Sequence, residues 1–580
     1  MTERLLVAAI DFGTTYSGWA FSFRHDFEAD PTKIQAKQWS GGHHVSLKAP
    51  TTVLIKPDGK TLEAFGYEAE DKYAKLADDN KHRTHYYFKL FKMMLYGKIG
   101  LTRDIMLEDD KDQKLPALTV FSLAIGHLRQ DLLKTCNDRL KKNKLTDGDI
   151  HWVLTVPAIW NDAAKQFMRE AAQKAGIASD NLSIALEPEA ASLFCRHLPI
   201  QQFSGNCGKS LKTFDVGSKY MVLDAGGGTV DITVHEVLPD GKLKELHKAS
   251  GGDWGGTMID NAFRQMLIKI FSLPVLRKFQ LDHTDDYLDL LREFEIKKRD
   301  IKPASDTKIT LKIPSALAEV FEKETEEGIQ DAIDQSPYAG KIKFTGDKMR
   351  ADVSVYKHLF DDALEGIIEH ISGLVRDPVT RGTTSILMVG GFSESPLLQT
   401  AIKNTFPKMT VIIPEEAGLV VLKGAVVFGH GPNAIAKRVC KHTYGIELNT
   451  LFDDKEHDVS KRFESNGRCF CKEIFDKHVE IGQCIKYGEP QSERTYAPLT
   501  NTQDSVDIVV YASDEASPKY VSDKGCQQIG KVTVDVRDMS VPLSQRTLDV
   551  TLTFSGTEIE VIAKEKHTGK ITKSKANFLG

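Results

Sequence analysis

Two short stretches of this 580-residue chain place an aspartate at the end of an apolar run and follow it with glycine and threonine. The first runs from Leu5 to Ile10 and continues Asp11-Phe12-Gly13-Thr14-Thr15-Tyr16. The second runs from Tyr220 to Leu223 and continues Asp224-Ala225-Gly226-Gly227-Gly228-Thr229. Glycines let a turn present consecutive backbone N–H groups to phosphate oxygens with no Cβ in the way, and threonine hydroxyls add donors. A carboxylate repels a phosphate unless a cation lies between them, so Asp11 and Asp224 point to Mg2+ held through water. Either stretch alone is weak, since a triple glycine is most often only a flexible turn; the repetition gives the pair its weight. Both run on into a second strand, which separates them from a Walker A loop or a Rossmann fingerprint, where a helix follows. A third unit, Ile386 to Val389 followed by Gly390-Gly391, precedes a helix expected near Ser395-Pro396 and suits the close approach of a ring or sugar to backbone. The three together describe a nucleotide cleft between two lobes.

The elements that must hold these turns are legible by period. Candidate strands are Leu5–Asp11, Thr52–Ile55, His151–Val156, Lys219–Asp224, Val230–Glu236 and Ser385–Gly390. Between them, Val120, Ala124, Leu128, Leu132, Cys136 and Leu140 recur at helical spacing, and a second helix follows the capping pair Asn161-Asp162 and stops at Gly176. Strands alternating with helices give an α/β architecture to about residue 430. Beyond the break Gly429-His430-Gly431-Pro432 the period becomes two: Val506, Ile508 and Val510; Val532, Val534 and Val536; Leu548, Val550, Leu552 and Phe554. That texture reads as an antiparallel all-β domain of the sandwich type. The expected division is 1–430 for a two-lobed nucleotide-binding domain, 431–442 for a linker and 443–580 for the β domain.

Bulk properties exclude other classes. A net charge of −5 argues against capture of nucleic acid or an anionic membrane surface. No apolar run reaches bilayer length, and the opening residues do not read as a secretory signal. With eight scattered cysteines the expectation is a reducing compartment, cytoplasmic or also nuclear.

The stretches AIDFGTTYSGWAFSF, FKMMLYG, AKQFMREAAQKAG, IALEPEAASLFC, LDAGGGTVDITVHE, ILMVGGFSESPLLQ and IIPEEAGLVVLKGAVVFG resemble, in order, the Hsp70 heat-shock proteins of the actin-like ATPase superfamily. The resemblance extends to the divergent heat shock protein 12 branch of that family (12A- and 12B-like). It implies an actin-like ATPase domain binding ATP or ADP with Mg2+, with K+ as a further cation, and hydrolysing ATP slowly. Gly13, Thr14, Thr15 and Tyr16 would form the first phosphate loop, and Gly226, Gly227, Gly228 and Thr229 the second. Asp11 and Asp224 would hold the metal through water. Glu187 would sit near the metal and attacking water, Asp231 would end the second loop, and Thr229 and Asp224 would act with them. The family's catalytic lysine falls on Lys92, with Lys89 as the neighbouring alternative. Gly255 and Gly256 follow Trp254 in the nucleotide-binding set. Glu295, Lys298 and Arg299, three and four residues apart, match the family's adenosine helix; read alone they are a surface ion-pair stripe.

Departures limit what carries over. Glu394 stands where an arginine usually brackets adenine, Lys302 where a hydroxyl is usual, and Thr257-Met258 where an acidic pair is usual. Pro157 has Lys165, not arginine, as its expected relay partner. TYGIELNT at 443–450 and KHTGKI near 566 resemble the opening and closing of the family's peptide-binding β domain. The connection GHGPNAIAKRVCKH is basic and lacks the usual leucine run, and no helical lid is expected. The reading is therefore a chaperone-like ATP-binding protein whose lidless β domain contacts protein clients or signalling partners, with co-chaperones as further candidate partners. The alternative is an ATP-regulated adaptor without refolding activity; a metabolite kinase on the same fold is the third reading.

Overall fold

The strand Leu6–Phe12 is buried along its whole length, as a continuous apolar run in the middle of a covered sheet must be. It pairs antiparallel with Tyr16–Phe23 and parallel with Ile150–Val156, which in turn pairs parallel with Leu182–Leu186. The same arrangement recurs in the second half. Lys219–Ala225 pairs antiparallel with Val230–Val237 and parallel with Ser385–Val389, which pairs parallel with Thr410–Pro414. The structure, a computed structural model, describes residues 4–41, 44–98, 100–140, 144–205, 214–465, 467–486, 488–500, 502–536, 541–542, 545–555 and 558–579. The strands read from sequence agree with those observed to within about one residue at each end.

Each sheet packs on its own helices. Ala117–Leu140 and Asp162–Lys174 cover the first, and Asn161 caps the latter by accepting a 2.8 Å hydrogen bond from the Ala164 N–H. Gly256–Phe271, Thr284–Asp300 and Asp361–Arg376 belong to the second lobe, whose largest apolar cluster runs from Met221 to Ala417. A separate cluster joins the lobes, combining Val7, Ala9 and Val153 of the first sheet with Tyr220, Val222 and Leu387 of the second. At its centre the helices Glu187–Cys195 and Val420–His430 cross so closely that a Cβ on Gly424 would lie 1.8 Å from the Ala190 carbonyl oxygen. The lobes thus share one apolar layer, with the two glycine turns on the same side of it.

Beyond residue 440 the described chain is β structure with short 3-10 turns. One sheet orders Arg462–Ser465, Arg468–Val479, Thr443–Leu451, Ser505–Ser513 and Cys526–Asp535; the other orders Pro490–Tyr496, Leu548–Ser555, Glu558–Glu565 and Ile571–Lys575. Their facing residues, among them Ile446, Ile508, Val532, Val550 and Val561, form one apolar cluster, the arrangement of a β-sandwich. The family-like KHTGKI stretch makes the turn between the last two strands.

The basic connection at 431–442, in which the sequence shows no leucine run, contains a strand, Ile435–Val439. It joins the second lobe's sheet parallel to Leu243–Gly252 and pairs on its other side with Cys484–Lys486 of the β region. Backbone hydrogen bonds supply the docking that apolar side chains would otherwise provide; within the strand only Ile435 is buried. The chain's last described residues return to the first lobe. Arg103 donates to Asn577 at 2.9 Å, the Phe578 N–H donates to Gln166 at 2.8 Å, and Leu579 joins the first lobe's apolar cluster. Among the described residues no helix is long and apolar enough to cross a membrane.

Candidate functional site

Register fixes where the two turns point. Asp11 pairs with Gly18 in the first hairpin and Asp224 with Asp231 in the second, so each aspartate lies at the end of its strand beside its glycine turn. The turns meet across the cleft: a Cβ on Gly227 would lie 2.2 Å from Thr15 Oγ1, and one on Gly228 2.6 Å from Thr14 Oγ1. The second turn is held from behind by the helix Gly256–Phe271. The Gly256 N–H donates to the Gly226 carbonyl at 3.2 Å, and the Thr257 N–H to the Gly227 carbonyl at 2.7 Å. Gly255 and Gly256 therefore support the turn and do not line the cleft. Gly390 is required by conformation and by space, with φ +85° and a would-be Cβ 2.4 Å from Asp224 Oδ1.

The cavity between the lobes measures about 320 Å³. Of the residues expected from sequence, Asp11, Gly13, Thr14, Tyr16, Lys92, Glu187, Asp224, Gly226, Gly227, Gly228, Thr229, Arg299, Gly390 and Gly391 line it. Thr15, Glu295 and Lys298 do not. Lys89 belongs to a strand, Tyr86–Lys89, and faces Asp110 at 3.3 Å. Lys92 sits in the 3-10 turn Phe91–Leu95 and reaches the cavity. The two lysines are separated by Leu90 in the left-handed region (φ 54°), so they do not share a helical face.

One end of the cavity concentrates charge. Lys92 is buried; its Nζ donates to Glu187 Oε1 at 2.8 Å and lies 5.1 Å from the Trp160 ring centroid. Asp11 accepts from the Thr155 hydroxyl at 2.7 Å and pairs with Lys48 Nζ at 2.5 Å. Asp231 accepts from the Ile159 N–H at 2.8 Å and from the Thr229 hydroxyl at 2.9 Å. Burial, opposed by Lys92 and reinforced by Asp11, pushes Glu187 up to about 7. Burial, with Glu187 and Asp231 beside it, drives Asp224 well above the usual carboxylate range. Asp11 goes the other way: burial would raise it, but Lys48 and Thr155 together hold it below that range.

Asp224 Oδ2 is buried and makes no hydrogen bond. Four carboxyls, Asp11, Glu187, Asp224 and Asp231, share this end with the two ammonium groups of Lys48 and Lys92, and the crowding that raises Glu187, Asp224 and Asp231 is what a divalent cation would relieve. Among the described residues no three acidic, histidine or cysteine side chains converge into a metal cage. Mg2+ keeps water and phosphate oxygens and takes only one or two carboxylates. The residues present fit such an ion.

Away from this charged cluster lies the adenosine-side set. Arg299 lies 5.5 Å from the Tyr16 ring centroid and donates to Glu295 at 2.8 Å. Lys298 is shared between Asp260 at 2.6 Å and Glu295 at 2.5 Å. Burial would raise Glu295, but Lys298 and Arg299 hold it low. The ion-pair stripe and the binding face read from sequence are therefore the same structure, with Arg299 alone reaching the cavity. Glu394, in the position of the missing arginine, accepts from the Gly418 N–H at 3.1 Å and lines the cavity with Glu415 and Glu416.

Sequence reasoning missed Lys48, a lone lysine in a loop with no motif around it. It also missed a polar seam behind the second turn. Arg438 donates to Glu189 through Nε at 3.0 Å and through a second guanidinium nitrogen, and the Val439 N–H donates to Glu245 at 2.9 Å. Lys441 Nζ donates to the carbonyls of Ala158 and Trp160, on either side of the Ile159 N–H that holds Asp231. Lys165, the expected relay partner of Pro157, pairs with Asp162 at 3.2 Å, and Asp162 accepts from the Tyr444 hydroxyl at 2.9 Å.

A family model described as Hsp70 protein matches residues 124–332. The chain is 33% identical to heat shock 70 kDa protein 12A of Homo sapiens over 99% of its own length and 92% of that protein. The Mus musculus protein of the same name matches with the same figures. Heat shock 70 kDa protein 12B of Homo sapiens is 33% identical over 99% of this chain and 91% of its own length.

Proposed function

The chain belongs to the Hsp70 family, with the 12A and 12B heat shock proteins as relatives, and from that premise we propose that it binds Mg-ATP between its lobes and hydrolyses it slowly while its β domain contacts protein clients. The observation that carries this is the charged end of the cleft. Two opposed glycine turns, a carboxylate oxygen without a partner and the Lys92–Glu187 pair face one cavity.

The roles follow from the contacts. Backbone N–H groups of residues 13–15 and 226–229 would bind the phosphate chain, as turns free of side chains can. Bound Mg2+, held by Asp11 and Asp224, would neutralise phosphate charge. Lys92 would stabilise the charge developing on the terminal phosphoryl group, and Glu187 would accept a hydrogen bond from the attacking water. With Lys92 close by, Glu187 is ionised above about pH 7, the form that accepts such a bond. Arg299 and Tyr16 would frame the base, and Glu394 makes that end acidic where the family is basic.

A second reading, an ATP-regulated adaptor, is favoured by one observation: strand Ile435–Val439 ties the lobe and the β region into one hydrogen-bonded sheet. Phosphate release from ATP by the purified chain, followed by competition of an unfolded client for the β region, separates the two. Slow release with client competition supports the chaperone-like reading; nucleotide binding without either supports the adaptor.

A further inference from the structure

Lys48 lies between the short strands His44–Ser46 and Ala49–Pro50. The second of these pairs with the first phosphate hairpin, Ala49 opposite Ser17 and Pro50 opposite Tyr16. Its own N–H donates to the Ser46 hydroxyl at 3.2 Å, and its stem crosses Gly18, where a Cβ would come within 3.1 Å of the lysine Cγ. The backbone is therefore anchored to the hairpin that carries Asp11, and the ammonium lines the cavity 2.5 Å from Asp11 Oδ2. Asp11, Lys48, Glu187 and Asp224 act on one another electrostatically, whereas Arg299 lies against Tyr16 and Glu295 and feels Glu394, so the cavity is charged differently where these two groups meet it. A nucleotide with its base at the Arg299 end directs its last phosphate towards the Asp11 end.

We propose that Lys48 is a phosphate-binding residue of this cleft, sharing its charge between Asp11 and the terminal phosphoryl oxygens of a bound nucleoside triphosphate. An ammonium has three donors on a flexible stem, so it can keep Asp11 and take a phosphate oxygen together. A diphosphate ends one group short of it. Lys48 thereby selects triphosphate over diphosphate. This rests on the nucleotide reading of the cleft given above.

The test is calorimetric titration of the full chain with Mg-ATP and with Mg-ADP, using the wild type, Lys48→Ala and Lys48→Arg. Loss of a charge-assisted hydrogen bond predicts that Lys48→Ala weakens ATP binding by about tenfold or more and ADP binding by less than about threefold. Lys48→Arg, which keeps the charge, stays within about threefold of wild type for both. If Lys48→Ala does not fold, Lys48→Gln removes the charge and is read in the same way. Equal losses for the two nucleotides, or none, would overturn the assignment of Lys48 while leaving the cleft a nucleotide site. A wild type that binds neither nucleotide would overturn the nucleotide reading, and this assignment with it.

Discussion

Lys92 Nζ and Glu187 Oε1, 95 residues apart in the chain, are 2.8 Å apart in the cleft, joining a 3-10 turn of the first lobe to the start of the helix that crosses beneath both lobes. Lys92 is buried and Glu187 is largely so, and each charge depends on the other in place of water. Removing one partner of such a pair costs about 3–5 kcal/mol, because the survivor is left unpaired. Lys92→Met should lower the thermal midpoint at pH 8 more than the double variant Lys92→Met/Glu187→Gln does, with a coupling above roughly 1 kcal/mol. Additive losses would show that the two side chains do not depend on each other.

Asp224 gives the opposite sign. Its Oδ2 has no partner and its carboxyl is driven upward by burial among Glu187, Asp231 and Asp11. Replacing it with asparagine removes an unfavourable charge, so the unliganded protein should melt at the same temperature or higher. Mg2+-dependent ATP affinity should fall by about tenfold or more, the size of one lost charge-assisted contact. An Asp224→Asn variant that binds Mg-ATP as the wild type does would remove Asp224 from the metal site.

Arg438 is the residue on which docking of the 435–439 strand most depends, since its guanidinium holds Glu189 while the strand's backbone holds the sheet. Arg438→Met leaves Glu189 buried, at a cost of about 3–5 kcal/mol. The strand should then release, and limited proteolysis should cut within 431–442 faster than in the wild type. Cleavage there at the wild-type rate would mean that backbone pairing alone secures it.

Lys441 carries a pH signature. Burial, with Lys165 beside it, lowers its ammonium to about 7, against an ordinary value of 10.5. Between these values the folded protein has released a proton that the unfolded chain still holds, so the residue's contribution to stability is lost as pH falls towards 7 and grows as pH rises. The slope is at most roughly 1.4 kcal/mol per pH unit. Thermal melts of wild type and Lys441→Met between pH 7 and 9 should diverge in the wild type's favour with rising pH. A constant difference would show that Lys441 stays charged in the fold.

What the sequence disclosed was what is local. Asp11-Phe12-Gly13-Thr14 and Asp224 to Thr229 are complete in themselves, because strand, turn and strand follow one another directly and need no distant partner. Arg299 was legible as part of a helical spacing, although the spacing could not say that Lys298 turns to Asp260 while Arg299 reaches the cleft. Lys48 was not legible: its place follows from Ala49 and Pro50 pairing with Ser17 and Tyr16, and a single loop lysine otherwise reads as solvated. The strand Ile435–Val439 was hidden for a related reason. Lys437 and Arg438 break any apolar pattern, and the acids that receive this segment, Glu189 and Glu245, lie about 250 and 190 residues upstream.

The central claim is a Mg-ATP cleft formed by the two glycine turns, and calorimetric titration of the purified full chain with ATP, in Mg2+ and again in excess chelator, tests it most directly. Saturable binding in Mg2+ that weakens by about tenfold or more when the metal is removed is the predicted result, since the crowded carboxylates would then face phosphate with no cation between. ATP binding of equal strength with and without Mg2+, or no binding at all, would contradict it.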